Sequence, residues 1–146
     1  MRVQEFFDTR TFTLTYVVFD ETSKDAVIID PVLDFDASRA ETSTDSLDRV
    51  FAFVESQSLR VHYVLETHAH ADHITGAQPL KERLNAKIAI GARISEVQKI
   101  FVPLFDLSAD VSTEGEQFDR LLTNGEKFDA GSLAIEVIAT PGHTPA

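Results

Sequence analysis

The sequence contains no cysteine and no tryptophan, and the first of these absences narrows its chemistry. Without cysteine the chain forms no disulfide and offers no thiol as a nucleophile or metal ligand. It also lacks an apolar run of about 18 residues, the minimum for a membrane-spanning helix. The start, Met1–Glu5, has neither a basic region nor an apolar stretch, so no secretory signal is predicted and the cytoplasm is the expected compartment.

Positive charge is scarce. The chain has 13 lysines and arginines against 24 aspartates and glutamates, which gives a formal net charge of −11. This balance argues against nucleic acid and anionic membrane surfaces as partners. A length of 146 residues and a hydrophobic fraction of 43% are typical of a globular chain with a sizeable core. The sequence therefore predicts a single domain over residues 1–146.

Four of the five histidines lie in two short segments. The first is His68-Ala69-His70-Ala71-Asp72-His73, and the second is Thr140-Pro141-Gly142-His143-Thr144-Pro145. Imidazole and carboxylate groups are the ligands that zinc, iron and manganese accept in proteins. We therefore predict a metal site with the candidate ligands His68, His70, Asp72, His73 and His143. The fifth histidine, His62, lies within a predicted strand without a neighbouring ligand and is interpreted as structural.

The spacing of the first segment indicates how its side chains converge. A buried strand is predicted at Val61–Leu65 and ends at Glu66-Thr67. In extended backbone, side chains two residues apart point the same way, so His68 and His70 can approach one point. Asp72 and His73 then begin a turn towards a short helix over residues 76–84. This arrangement can serve one metal or two metals a few ångströms apart.

The rest of the chain alternates strands and helices. His143 follows a predicted strand over residues 133–139, and the Pro-Gly turn between them bends the backbone sharply. Phe101 and Phe105 are expected in the core. The first predicted elements are a hairpin of residues 12–19 and 24–30, a polar loop over 34–43, and a helix capped by Ser43 or Thr44 with Leu47, Val50, Phe51 and Val54 on one face. They are followed by a strand over 87–90, a helix containing Ile94, Val97 and Phe101 that ends before Pro103, and a loop over 104–117. A late β region has turns at Asn124-Gly125 and Ala130-Gly131, and Phe128 is its expected apolar anchor.

The motif His-x-His-x-Asp-His followed by Pro-Gly-His resembles the metallo-β-lactamase superfamily. Four segments extend the resemblance to its persulfide (sulfur) dioxygenases: Thr13–Tyr16, Ala26–Val32, Leu65–Ala77 and Thr140–Pro145. Glyoxalase II enzymes share the same framework. The resemblance implies an α/β (α+β) fold, the αββα sandwich of the superfamily, of which this chain covers the first half.

The resemblance also implies a chemistry. Persulfide dioxygenases hold one Fe(II) by two histidines and one aspartate, and on this chain His68 and His143 correspond to the two histidines. His70, Asp72 and His73 then line the site, with Asp72 as the candidate catalytic residue and with Asp30 and Thr67 supporting the ligands by hydrogen bonds. In the glyoxalase II alternative, all five candidate ligands bind a zinc-type dinuclear centre that cleaves a thioester. Asp30 can equally be a residue of a strand-end turn, and no substrate-binding residue is assigned.

Members of this family continue into a second half, which supplies the aspartate of the iron site and most glutathione-binding groups. The expected substrates are glutathione persulfide, or another small thiol, and oxygen. A third hypothesis is a non-catalytic fragment whose metal site is incomplete. We also expect an apolar sheet face left exposed, and therefore a homo-oligomer or the C-terminal half as a partner.

Overall fold

The computed structural model describes residues 1–107 and 111–144. Pro145 and part of the predicted loop over 104–117 lie outside the described residues. None of the helices in the described part is both long and apolar enough to cross a membrane. The elements in chain order are β1 (Arg2–Phe7), β2 (Leu14–Phe19), β3 (Asp25–Ile29), β4 (Val32–Asp36), β5 (Glu41–Ser43), α1 (Asp45–Ser56), β6 (Arg60–Glu66), β7 (Ile74–Thr75), α2 (Ala77–Leu84), β8 (Lys87–Gly91), α3 (Ile94–Leu104), β9 (Arg120–Leu122), β10 (Lys127–Ala130) and β11 (Leu133–Glu136).

A six-stranded sheet in the order β1-β2-β3-β6-β8-β9 forms the centre of the fold. The first three strands are antiparallel, which confirms the predicted hairpin, and β3, β6, β8 and β9 are parallel to one another. Parallel strands end at the same edge of a sheet. The residues that follow β3 and β6, Asp30 and Thr67, therefore meet at one edge, and this edge carries the histidine motif.

One face of the sheet packs against α1 and α2. Val17, Ile28 and Val64 from the sheet and Leu47 and Leu80 from the helices are almost completely buried in one apolar cluster. Helix α1 begins after Thr44, at the predicted position, but the Thr44 side chain makes no capping hydrogen bond. The helix buries Leu47, Val50 and Val54, whereas Phe51 is only half-buried. Apolar burial of this kind stabilises a fold by about 25 cal/mol per Å². This packing fixes the strands whose ends carry the site.

The opposite face was expected to be an exposed apolar patch, and this prediction is wrong over much of the sheet. The hairpin of β10 and β11 packs there, with Ala130 and Leu133 against Val27 and with Phe128 against Ala89 and Leu122. Phe128 is buried, as predicted. The hairpin is held at its turn by Asp25, which accepts hydrogen bonds from the Ser132 backbone N–H at 2.8 Å and from the side chains of Arg60 and His62.

Some predicted elements are wrong. Residues 34–43 are not a polar loop, because β4 and β5 pair across them. The buried Asp34 accepts hydrogen bonds from the backbone N–H and the hydroxyl of Ser46, so its carboxylate binds the first turn of α1. Helix α3 continues through Pro103 to Leu104, because the backbone N–H that proline lacks removes only one hydrogen bond, in the last turn. Strand β11 ends at Glu136 rather than at Ala139.

Phe101 and Phe105 are also not in the core. The two rings stack at 6.0 Å with an interplanar angle of 14°, and 47% and 65% of the two residues are exposed. They form an apolar surface with Ile100 and Leu104 on α3 and with Leu107 beyond it, all of them exposed. A helical repeat of apolar residues predicts a buried face, but only Ile94 and Val102 of α3 are buried.

Candidate metal centre

The four predicted ligand histidines converge at the edge where β6 ends. The ring of His70 lies 4.1 Å from that of His68 and 4.2 Å from that of His73, measured between centroids. His143, about 70 residues further along the chain, brings its ring to 4.8 Å from His68, edge-on at 88°. The fold thus places the two histidine segments side by side. Whether each residue binds a metal stays a prediction.

The donor atoms of this cluster suit a metal ion. One ligand atom from each of His70, Asp72 and His73 lies within 4.8 Å of the other two. Asp72 Oδ1 is 3.3 Å from His73 Nδ1 and 3.9 Å from His70 Nδ1. His73 Nε2 is buried and has no hydrogen-bond partner among the described residues. A buried polar atom left unpaired costs about 1–3 kcal/mol, so a nitrogen of this kind fits a metal ligand better than a structural group.

Asp30 supports the histidine motif from behind. One carboxylate oxygen accepts the Thr67 backbone N–H at 2.8 Å and lies 3.0 Å from His70 Nε2. The other accepts the Thr67 hydroxyl at 2.7 Å. The same hydroxyl oxygen lies 2.9 Å from His68 Nδ1. Because its hydrogen is donated to Asp30, the Thr67 oxygen accepts from His68 Nδ1–H, which leaves the lone pair of His68 Nε2 available for a metal.

Glu66 is a second carboxylate at the site and was not singled out from the sequence. Its side chain is buried, Thr75 donates a hydrogen bond to Oε1, and Oε2 lies 3.4 Å from His70 Nε2. Thr75 also accepts the backbone N–H of Ala77 at 3.0 Å, at the start of α2. The position of Glu66 two residues before His68 was the available signal. Carboxylates are nevertheless common at strand ends, so the sequence pattern alone did not predict that Glu66 belongs to the site.

The pKa values of His70 and His68 are shifted in opposite directions. Burial lowers the pKa of His70, but hydrogen bonds to Asp30 and Glu66 outweigh it and raise the pKa to about 9. Because its two neighbours are carboxylate oxygens, His70 Nε2 is the nitrogen that donates, and Nδ1 is the nitrogen that faces Asp72. Burial, followed by the charge of His70, lowers the pKa of His68. His68 is accordingly a neutral imidazole, the form that binds metals.

His62 takes no part in this cluster, as predicted. Its Nε2 lies 2.7 Å from Asp25 Oδ1, at the opposite end of β6 from the segment His68–His73. The ring is about one quarter exposed. The contact belongs to the group of hydrogen bonds that holds the β10–β11 hairpin, so His62 has a structural role.

Two cavities border the metal centre and offer places for a substrate. The larger, about 560 Å³, opens beside His68 and His143, and a volume of this size is typical of small-molecule sites. Its walls are mostly apolar, with Leu65, Phe128 and Val137 among them. Arg93 lines its rim but is paired with Glu96 at 2.9 Å. A cavity of about 280 Å³ lies on the other side of Asp72 and His73.

Comparison with known proteins identifies the family. The model of the metallo-beta-lactamase superfamily matches residues 8–146. The chain is 46% identical over 145 residues to the "Beta-lactamase hydrolase-like protein" of Xylella fastidiosa (99% of this chain, 33% of that protein). It is 40% identical over 146 residues to "Glyoxylase B2" of Dictyostelium discoideum (99% and 50%). It is 31% identical over 143 residues to the mitochondrial persulfide dioxygenase ETHE1 of Bos taurus (98% and 44%).

A solved structure agrees with this assignment. The crystal structure of ETHE1 from Myxococcus xanthus superposes with a TM-score of 0.71 at 30% identity, covering 99% of this chain and 51% of that one. The chain belongs to the metallo-beta-lactamase superfamily, and its mixed α/β fold corresponds to part of that fold. It spans about a third to a half of the length of these curated relatives.

Proposed function

We propose that the metal centre acts as a mononuclear Fe(II) persulfide dioxygenase, oxidising glutathione persulfide with oxygen. The balanced reaction is RSSH + O₂ + H₂O → RSH + H₂SO₃, in which the outer sulfur is oxidised, oxygen is reduced and the thiol leaves. The observation that carries the proposal is the pairing of His68 with His143 beside the 560 Å³ cavity. The similarity to two persulfide dioxygenase relatives supports it.

Each residue has a role in this proposal. His68 and His143 would hold the metal, which when bound would supply the redox chemistry that joins oxygen to the persulfide sulfur. Asp30 and Thr67 fix the orientation of His68. Burial raises the pKa of Asp72, but hydrogen bonds, including that from Thr13, and the neighbouring histidines lower it overall, so this carboxylate is ionised. Asp72 Oδ1 can then accept the proton of the persulfide.

The decisive experiment measures metal content and oxygen uptake together. The chain is purified anaerobically, loaded with Fe(II), analysed for iron, and then given glutathione persulfide in an oxygen electrode. We expect about one iron per chain in the wild type, and loss of both the iron and the oxygen uptake in His68→Ala. The control His62→Gln lies outside the site, keeps a side-chain N–H for Asp25 and should retain iron. Full iron and turnover in His68→Ala would refute the ligand assignment.

A second candidate is a dinuclear zinc-type hydrolase of glutathione thioesters. It is favoured by the separate donor group of His70, Asp72 and His73 and by the unpaired His73 Nε2, which together suit a second ion. The similarity to the glyoxylase relative also supports it. Two zinc ions per chain with thioester cleavage would select this candidate, and a chain that binds no metal would favour the non-catalytic hypothesis.

A further inference from the structure

Two threonines, Thr13 just before β2 and Thr15 within it, contact the metal centre. The metal loop is defined as residues 67–73, between β6 and β7. Thr13 donates its hydroxyl hydrogen to Asp72 Oδ2 at 3.2 Å, and Thr13 Oγ1 also lies 3.5 Å from His73 Nδ1. Thr15 donates to the backbone carbonyl of Asp30 at 2.8 Å. Side chains two residues apart on a strand share a face, so the start of β2 contacts both the Asp72 carboxylate and the backbone carbonyl of Asp30.

Asp72 has little else to hold it. Its side chain is 56% exposed, and its other contacts are with the two neighbouring histidines of the same loop. An exposed aspartate samples several rotamers, and fixing it in one of them has an entropic cost. Thr13 is the single residue outside the metal loop for which a hydrogen bond to the Asp72 side chain is found in the described part of the chain.

Asp30 is held in a strained conformation. Its φ of 48° lies in the left-handed region, which a residue with a Cβ adopts at a cost. The hydroxyl of the buried Thr15 binds the Asp30 carbonyl in this conformation, while the Asp30 N–H donates to the Leu65 carbonyl at 3.0 Å. These contacts aim the Asp30 carboxylate at Thr67 and His70.

Thr13 is itself well anchored. Its carbonyl accepts the Asp8 backbone N–H at 2.9 Å, which closes the loop between β1 and β2. The Asp8 carboxylate holds that loop through the backbone N–H groups of Arg10 and Thr11. The Thr13 hydroxyl is therefore presented from a rigid support, as effective groups around a metal site require.

We propose that Thr13 and Thr15 are positioning residues that hold the metal loop in its metal-binding geometry, Thr13 through Asp72 and Thr15 through Asp30. The inference rests on the metal centre described above, with Asp72 as one of the donors in the group of His70, Asp72 and His73. Loss of such supporting hydrogen bonds around metal ligands typically weakens metal affinity by about 10–100-fold. Thr13 gives the sharper test, because Thr15 is buried and its loss also disturbs the core.

The test compares three variants of the full chain. Thr13→Val removes the hydroxyl at nearly constant shape, Thr13→Ser keeps it, and Thr9→Val is the control, because Thr9 is exposed in the same loop. Zn²⁺ affinity is measured by chelator competition, the Co²⁺ absorption spectrum reports ligand geometry, and urea unfolding of the metal-free chain reports stability.

We expect Thr13→Val to raise the Zn²⁺ dissociation constant by about tenfold and to alter the Co²⁺ spectrum, with the urea midpoint unchanged. Thr13→Ser should restore affinity, and Thr9→Val should match the wild type. A Zn²⁺ affinity in Thr13→Val within twofold of wild type, or a loss of urea stability without a loss of affinity, overturns the proposal. The positioning proposal is tested by Zn²⁺ affinity and the dioxygenase proposal by oxygen uptake, so a failure of one can be told apart from a failure of the other.

Discussion

Gly131, in the turn between β10 and β11, provides the sharpest test of how the hairpin is attached. Its φ is +64°, and a Cβ added there would lie 2.2–2.5 Å from the carboxyl atoms of Asp25. The Asp25 carboxylate cannot simply turn away, because Ser132, Arg60 and His62 all donate to it. Gly131→Ala therefore combines a strained backbone with an overlap against buried, hydrogen-bonded atoms.

The magnitude follows from these two effects. An alanine in the left-handed region costs about 1–2 kcal/mol, and overfilling a packed site costs typically about 1–3 kcal/mol. We therefore expect Gly131→Ala to lower the free energy of unfolding by about 2–5 kcal/mol, measured by urea denaturation of the metal-free chain at neutral pH. The hairpin leads to His143, so the same variant should also bind metal more weakly.

Gly125→Ala is the matched control. Its φ of +79° is equally left-handed, but no atom lies within 4 Å of an added Cβ. This variant has only the backbone cost of about 1–2 kcal/mol. Equal losses of stability in the two alanine variants would refute the claim that Gly131 is required by its contact with Asp25.

The remaining predictions concern acid stability and self-association. Hydrogen bonds from His62, then Arg60 and Ser132, hold the pKa of Asp25 well below its usual value. Its ionised form therefore stabilises the fold fully at pH values above the unfolded-state pKa of about 3.9, and this stabilisation is lost as the pH falls towards the lower folded-state pKa. Asp25→Asn should be less stable than the wild type at pH 7, and its free energy of unfolding in urea should fall less steeply as the pH is lowered. An unchanged pH dependence in Asp25→Asn would contradict the assignment. The exposed surface around Phe101 and Phe105 should drive self-association, so Phe101→Ser with Phe105→Ser should lower the weight-average mass in sedimentation at equal concentration, and a wild type that is already monomeric would contradict this expectation.

Much of the fold could be predicted because its signals are local. The hairpin of β2 and β3 follows from two apolar runs with the polar turn Asp20–Ser23 between them, and Asp20 accepts the N–H groups of that turn. Helix α1 follows from its apolar spacing. The errors arose where tertiary contacts outweigh local preference. The polar Asp34 was predicted in a loop, but it is buried and accepts a hydrogen bond from Ser46. Phe101 was predicted in the core from its helical spacing, but it is exposed.

The metal centre also has features that the sequence predicts and features that depend on tertiary contacts. The sequence by itself determined the ligand types and the convergence of His68 with His70, because a two-residue spacing in extended backbone decides it. Only the tertiary structure decided that His143 lies beside His68, that Glu66 and Asp30 share His70 Nε2, and that Thr13 donates to Asp72. These contacts join residues up to 75 positions apart (143 minus 68). The physical reason is that their approach depends on sheet register and on the packing of the hairpin against the sheet, neither of which is encoded within a short stretch of chain.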